Sequence, residues 1–262
     1  MLCFVFLLSQ FSFAEKALVR LTLYKPLYWI QGINDSYKMA DTKLGLGFKY
    51  QVIEDMNLYF AYSEYFFWDR EVKSLPFRDI NHNPEIFYRQ DIQQRWLEYI
   101  DWGIYEHMSN GQAGDYSRSI DRRYLRFKTT LVEKEPLFNV AEIAATQNIS
   151  TVLKIFKYID GSLGDNQDYD KYVTSFSLRL EAKQWLNFLA LSDTEFYIEV
   201  IPGRHNKGLD FNKGSVEMGY IFNFEFFGLN PRFYLQSYNG YGESMLEYNY
   251  LQHAIRLGLM IF

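Results

Sequence analysis

The chain has 262 residues, of which 48% are hydrophobic, 19% aromatic (Tyr and Phe dominate, with 22 and 23) and 23% charged. A formal net charge of −5 argues against a nucleic-acid partner, which needs clustered Lys and Arg. The mean hydropathy of −0.25 shows apolar residues diluted by polar ones, a mixture suited to a membrane barrel with an apolar outer band and a polar interior or to an aromatic-rich soluble β-sandwich.

Residues 2–14 form a short apolar stretch closing on Ser12-Phe13-Ala14. It reads as the core and cleavage site of a secretory signal peptide, with 15–262 as the mature domain. The stretch is too short for a spanning helix, which takes about 20 apolar residues. Cys3 is the only cysteine, so the mature chain has neither a disulfide framework nor a thiol nucleophile.

Downstream, charges interrupt every apolar run, and alternation takes over. Leu44, Leu46, Phe48, Tyr50 and Val52 share one face against Gly45, Gly47, Lys49 and Gln51. In 172–183 the face carrying Phe176, Leu178 and Leu180 opposes Ser177, Arg179 and Glu181. Such dyads fit strands that are apolar toward lipid and polar toward a lumen. Further strands are predicted at 18–30, 56–67, 85–93, 99–109, 119–132, 138–158, 188–201, 214–227, 231–238 and 249–262, giving 12 with the two above. Turn signals fall at Asn34-Asp35, Glu54-Asp55, Gly161 to Asp168, Pro202-Gly203, Gly228 to Pro231 and Asn239-Gly240. Bacterial outer-membrane barrels use even strand numbers. The expected fold is therefore all-β, a 12-stranded antiparallel transmembrane barrel in one domain, with Phe262 ending an amphipathic last strand.

Residues 105–124 carry the chemistry. His107 and Ser109 are two apart, so a strand puts both on one face. A hairpin centred on Gly114-Asp115 sets residue 107 opposite residue 121, and opposed Cβ atoms lie ~4.5–5.5 Å apart. Nucleophile, base and orienting acid thus come from a single hairpin. Along its second strand Asp121 shares a face with Leu125, Phe127, Thr129 and Leu131, whereas Arg122, Tyr124, Arg126 and Lys128 occupy the other. A Lys or Arg facing lipid at mid-depth costs ~2–4 kcal/mol, so the basic face belongs to the lumen. Asp121, His107 and Ser109 then point outward. A site on that wall makes sense for a substrate that is itself a membrane lipid.

Tyr105, His107-Met108-Ser109-Asn110-Gly111 and Ser117-Arg118-Ser119 together resemble the active-site signature of the outer-membrane phospholipase A family. Two more blocks are similar to the same family: Pro76-Phe77-Arg78-Asp79 through Asn83-Pro84-Glu85-Ile86-Phe87, and Tyr238-Asn239-Gly240-Tyr241-Gly242-Glu243-Ser244 with Tyr248-Asn249-Tyr250. The resemblance implies a calcium-dependent carboxylic ester hydrolase (phospholipase A1/A2) of the bacterial outer membrane, acting on phospholipids and lysophospholipids and active as a homodimer. Ser109 is then the nucleophile, His107 the base and Asp121 the orienting group, where the family has Asn; Gly111 N–H is an oxyanion donor. The implied calcium ligands are the Ser117 hydroxyl, the Gln112 carbonyl, Asp165 and Ser74 of the partner subunit, with the family's loop carboxylate falling at Gly114, one place before Asp115. Glu64 stands where the family has a Gln at its dimer interface; it either pairs there or lies at the interfacial rim. His82, His205 and His253 show no ligand spacing and read as loop or strand-end residues. The alternative to an enzyme is a passive barrel, a small pore or structural protein, that keeps the family skeleton.

Overall fold

The computed structural model describes residues 20–261 except 36–38, 54, 71, 93, 95, 133–137, 141–142, 146–147, 162, 165, 167, 185–190, 206–207 and 226. Its strands are β1 (Leu21–Asn34), β2 (Met39–Gln51), β3 (Leu58–Asp69), β4 (Phe77–Asp91), β5 (Leu97–Ser109), β6 (Ser119–Val132), β7 (Phe138–Val140), β8 (Ile143–Ala145), β9 (Asn148–Tyr158), β10 (Phe176–Lys183), β11 (Leu191–His205), β12 (Gly208–Phe224), β13 (Arg232–Gly240) and β14 (Gln252–Met260). All but β7 and β8 close into one barrel in the order β1-β14-β13-β12-β11-β10-β9-β6-β5-β4-β3-β2. Every pairing is between antiparallel neighbours, and β1 meets β14 to seal the wall. No helix among the described residues is long and apolar enough to cross a membrane; closure of the sheet satisfies the backbone groups instead.

Twelve wall strands match the number predicted, but several boundaries move. The 138–158 stretch divides: β7 and β8 form a separate two-stranded hairpin, and only β9 joins the wall. The dyad at 172–183 becomes a strand only from Phe176, because Tyr169–Lys171 is a single 3-10 turn. Pro202-Gly203 is not a turn. It lies within β11, at a bulge where the register against β12 slips between Ile201 and Gly203, a place where a residue without an N–H is tolerated. Asn239 and Gly240 are the last residues of β13, and the turn proper is the 241–251 loop. β4 begins eight residues earlier than its apolar pattern suggested. It runs through Pro84, which the register sets opposite His107.

Outside, the wall presents Trp29, Ile33, Trp102, Ile104, Ile155, Leu178, Leu180, Leu235, Ile255, Leu257 and Leu259 to the surroundings. Inside, charges pair across neighbouring strands: Arg89 and Arg126 on Asp101, Arg122 and Lys154 on Glu106, Lys128 on Glu181, and Arg179 on Glu199. Aromatic rings fill the gaps between these pairs. Tyr24 and Tyr59 stack on Phe87, which is fully buried. Ion pairs and rings line the lumen, which encloses a cavity of about 720 Å³ bordered by Tyr24, Arg126, Lys154, Arg179 and Tyr234.

One irregularity sets up the site. On β5, Asp101 and Gly103 face the lumen, Trp102 and Ile104 the outside. Strict alternation would return residues 105 and 107 to the lumen. Instead the register against β6 passes from Gly103↔Tyr124 to Glu106↔Arg122, three residues against two. That bulge turns Tyr105 outward, sends Glu106 inward, and leaves His107 and Ser109 on the outer wall. Gly103, just before it, makes room for the Tyr124 ring of the paired strand, which a Cβ there would meet at 2.3 Å.

Candidate active site

Beyond the bulge the hairpin keeps the register expected from its symmetry: His107↔Asp121, Met108↔Ile120 and Ser109↔Ser119. Met108 packs toward the buried lumenal cluster containing Ile120, so the flanking residues face away from it. His107 Nδ1 lies 2.7 Å from Asp121 Oδ1, and the Tyr105 hydroxyl donates to the same oxygen at 2.5 Å. Both partners of the pair are partly exposed, 29% and 27% at the side chain. With Nδ1 turned to the carboxylate, Nε2 remains for a proton on the open side. Ser109 shares that face two residues further along the strand, about 6.6 Å away in backbone rise.

The connection is wider than a two-residue turn. It spans 110–118, with a 3-10 turn at Gly114–Tyr116. Gly114 has φ +63°, a left-handed conformation that favours glycine. Asn110 knots this loop together. Its Oδ1 accepts from the Arg118 amide at 2.9 Å, its Nδ2 donates to the Tyr116 carbonyl at 2.9 Å, and its own amide bonds Arg118 O. Gly111 follows immediately, with φ +64°. The site strand is also braced from within: Asn83 Nδ2 donates to the His107 carbonyl at 2.8 Å, where Pro84 has no N–H to offer.

The remaining predicted residues fall into three places. Ser117 and Gln112 lie in the 110–118 loop with Gly111, and Arg118 folds its guanidinium back onto the carbonyls of Asp115 and Ser117. Ser74 sits at φ +74° in the connection between β3 and β4. Asp165 lies outside the described residues. His82, expected in a loop or at a strand end, is instead the sixth residue of β4 and the register partner of Ser109. Its Nδ1 is 2.8 Å from Glu64 Oε1 and 2.8 Å from the Tyr62 hydroxyl, so Glu64 is not a lone charge on the wall. In the sequence, Tyr105 and Asn110 belong to the signature without a role of their own, and His82 reads as a loop or strand-end residue. Tyr105 faces outward only because of the bulge, and His82 reaches the site only through pairing with β5.

A closed 12-stranded barrel with an apolar exterior, an ion-paired interior and a polar cluster on its outer wall defines a bacterial outer-membrane β-barrel protein. The cluster sits on the face that meets lipid. A profile of the family described as Phospholipase A1 matches residues 24–261, and the chain belongs to that family. It is 30% identical over 211 residues to a phospholipase A1 of Klebsiella pneumoniae, covering 77% of this chain and 61% of the relative. A putative phospholipase A1 of Neisseria meningitidis is 28% identical over 236 residues, covering 85% and 55%. The chain thus spans 55–61% of the length of these relatives. Among solved structures, outer membrane phospholipase A from Escherichia coli superimposes with a TM-score of 0.70 at 23% identity, over 92% of this chain and 94% of that one. The calcium-bound dimer of the Salmonella typhi outer membrane phospholipase gives 0.69 at 23% identity, over 92% of each chain.

Proposed function

We propose that this protein is a calcium-dependent phospholipase that hydrolyses acyl esters of phospholipids and lysophospholipids with Ser109, His107 and Asp121. The observation that carries the reading is the hydrogen-bonded His107–Asp121 pair with Ser109 beside it on the lipid-facing wall. A pore would place its functional groups in the lumen, and here the lumenal charges are paired with one another.

In this reading Ser109 Oγ attacks the ester carbonyl while His107 Nε2 takes its proton. Asp121 holds the imidazole through Nδ1 and stabilises the imidazolium that forms. His107 then returns the proton to the leaving alcohol, and water hydrolyses the acyl-enzyme by the same steps. Gly111 N–H donates to the oxyanion. The Tyr105 hydroxyl gives Asp121 a second donor, which offsets part of the cost of an ionised carboxylate in apolar surroundings.

The loop's donor chemistry fits calcium. Ser117 offers a hydroxyl and Gln112 a carbonyl, both hard oxygens, and a side chain at Gly114 would meet nothing within 4 Å. Among the described residues no cluster of three His, Cys, Asp or Glu forms a cage. Two neutral oxygens fall short of the six to eight that calcium takes, which is why Asp165, water and Ser74 of the partner subunit enter the proposal and why activity should follow dimerisation. Calcium would add positive charge beside the developing oxyanion.

The test is fatty-acid release from phospholipid micelles titrated with calcium, with the dimer cross-linked in parallel. Release and dimer fraction should rise together with calcium and collapse on chelation. Release that persists in excess chelator defeats the calcium assignment. Asp121→Asn should retain activity within about tenfold, since an amide oxygen still accepts from Nδ1 without a charge to desolvate. Asp121→Ala should lower kcat by about 10²–10⁴-fold, read in the same assay.

A further inference from the structure

We propose that His82 is a second imidazole of this site, held by Glu64 with its Nε2 directed at the oxyanion side of Ser109. The inference rests on the phospholipase reading above and adds a residue to it. Ser109 has two lateral neighbours: Ser119 on β6 and His82 on β4. Directly paired residues bring their Cβ atoms to ~4.5–5.5 Å, closer than the ~6.6 Å of rise separating Ser109 from His107 along β5. His82 is therefore the nearer imidazole to the serine by backbone geometry.

Its orientation differs from that of His107. Nδ1 is turned away from the serine, toward Glu64 Oε1 and the Tyr62 hydroxyl, each at 2.8 Å. Both come from β3, where Glu64 is the direct partner of His82. The other edge of the ring faces the loop: a Cβ built on Gly111 would lie 3.2 Å from Nε2 and 3.4 Å from Cδ2. The Gly111 backbone and His82 Nε2 thus lie side by side beside Ser109 on the wall. A side chain at Gly111 would press on the ring. Glu64 and Tyr62 take up Nδ1, which leaves Nε2 as the edge of the ring free to act toward Ser109. An N–H donor aimed at the developing oxyanion stabilises it. His82 transfers no proton in this role. It donates a hydrogen bond, and the acid–base steps remain with His107.

The test compares wild type, His82→Ala, His82→Gln and Ser109→Ala on a phospholipid in mixed micelles at saturating calcium. The readouts are kcat, KM, cross-linked dimer fraction and heat-modifiable gel migration. His82→Ala should lower kcat by about 10²-fold at unchanged KM, dimer fraction and migration. His82→Gln, which keeps an N–H donor, should recover to within about tenfold of wild type. The proposal is overturned if His82→Ala stays within about threefold of wild type, if both variants fall equally, or if the loss tracks the dimer fraction, which would make His82 an interface residue. Should wild type and Ser109→Ala hydrolyse alike, the phospholipase reading itself fails. Should Ser109→Ala alone be inactive, only the His82 assignment falls.

Discussion

Replacing Ser109 with Ala should reduce fatty-acid release by a factor on the order of 10⁴–10⁶ while the barrel still shifts on heating in a gel. The large effect follows from the position of the hydroxyl, on the face that carries the His107–Asp121 pair. No other group in the hairpin offers an equivalent nucleophile, because Ser119 lies across the strand pair and Ser117 is in the loop. The small structural effect follows from the same position. Ser109 points outward and bridges no lumenal ion pair, and a surface change of this kind stays within about 0.5 kcal/mol. Release that survives the substitution would return the protein to the passive-barrel reading.

Arg256→Ala should destabilise the barrel by about 3–5 kcal/mol, seen as a lower urea midpoint for loss of the folded gel band. Arg256 is completely buried. Its Nε donates to Asp41 Oδ2 at 2.8 Å, and Nη1 donates to Gln236 at 2.8 Å and to Glu243 Oε1 at 2.5 Å. Removing it strands two carboxylates, each only 0–1% exposed at the side chain. The cost belongs at the lower end of the range because Lys43 still reaches Glu243 at 3.0 Å and Arg78 still reaches Asp41 at 3.4 Å. Glu243 belongs to the 241–251 loop, which Arg78, Asp79 and Asn81 tie to β4 through Glu247, Leu246 and Met245. Burial by itself would raise its carboxyl, but Arg256 and Lys43 hold it down at about 2 against an ordinary 4.5. A depressed carboxyl stabilises fully above pH 4.5 and loses that contribution as the pH falls toward 2. In the variant the main cause of the depression is gone. Acid loosening of the barrel should therefore begin at higher pH than in wild type, and the same gel assay run in acid buffers would show it.

The second and third family blocks, which hold none of the site residues read from the sequence, have a physical role in this light. Arg78, Asp79 and Asn81 of one block bond Glu247, Leu246 and Met245, and Glu243 of the other is held by Lys43 and Arg256. Together these contacts fasten the β13–β14 loop to β4, β2 and β14. The pairing with β4 was hidden because the partners are more than 160 positions apart in the chain. Nothing local in either block names the other.

Period-2 alternation was sufficient for the all-β class and the strand number, because a barrel wall separates lipid from lumen at every residue of a regular strand. Hairpin symmetry about Gly114 was sufficient to oppose His107 and Asp121, since pairing in a hairpin is a local count. Those two properties are written along the chain. The outward direction of β5 is not, because its own alternation before the bulge points His107 into the lumen. The sequence reached the right face only by arguing from the regular strand β6. An extra residue in the ladder leaves no compositional mark, and it becomes visible only when Gly103 and Glu106 are matched with Tyr124 and Arg122. Nor does the chain order announce that His82 stands beside Ser109 and Glu64 beside His82, for lateral neighbours in a closed sheet are set by the register of whole strands. Along the strand, chemistry was local and legible; across the strands it depended on closure of the barrel, which the tertiary structure alone decided.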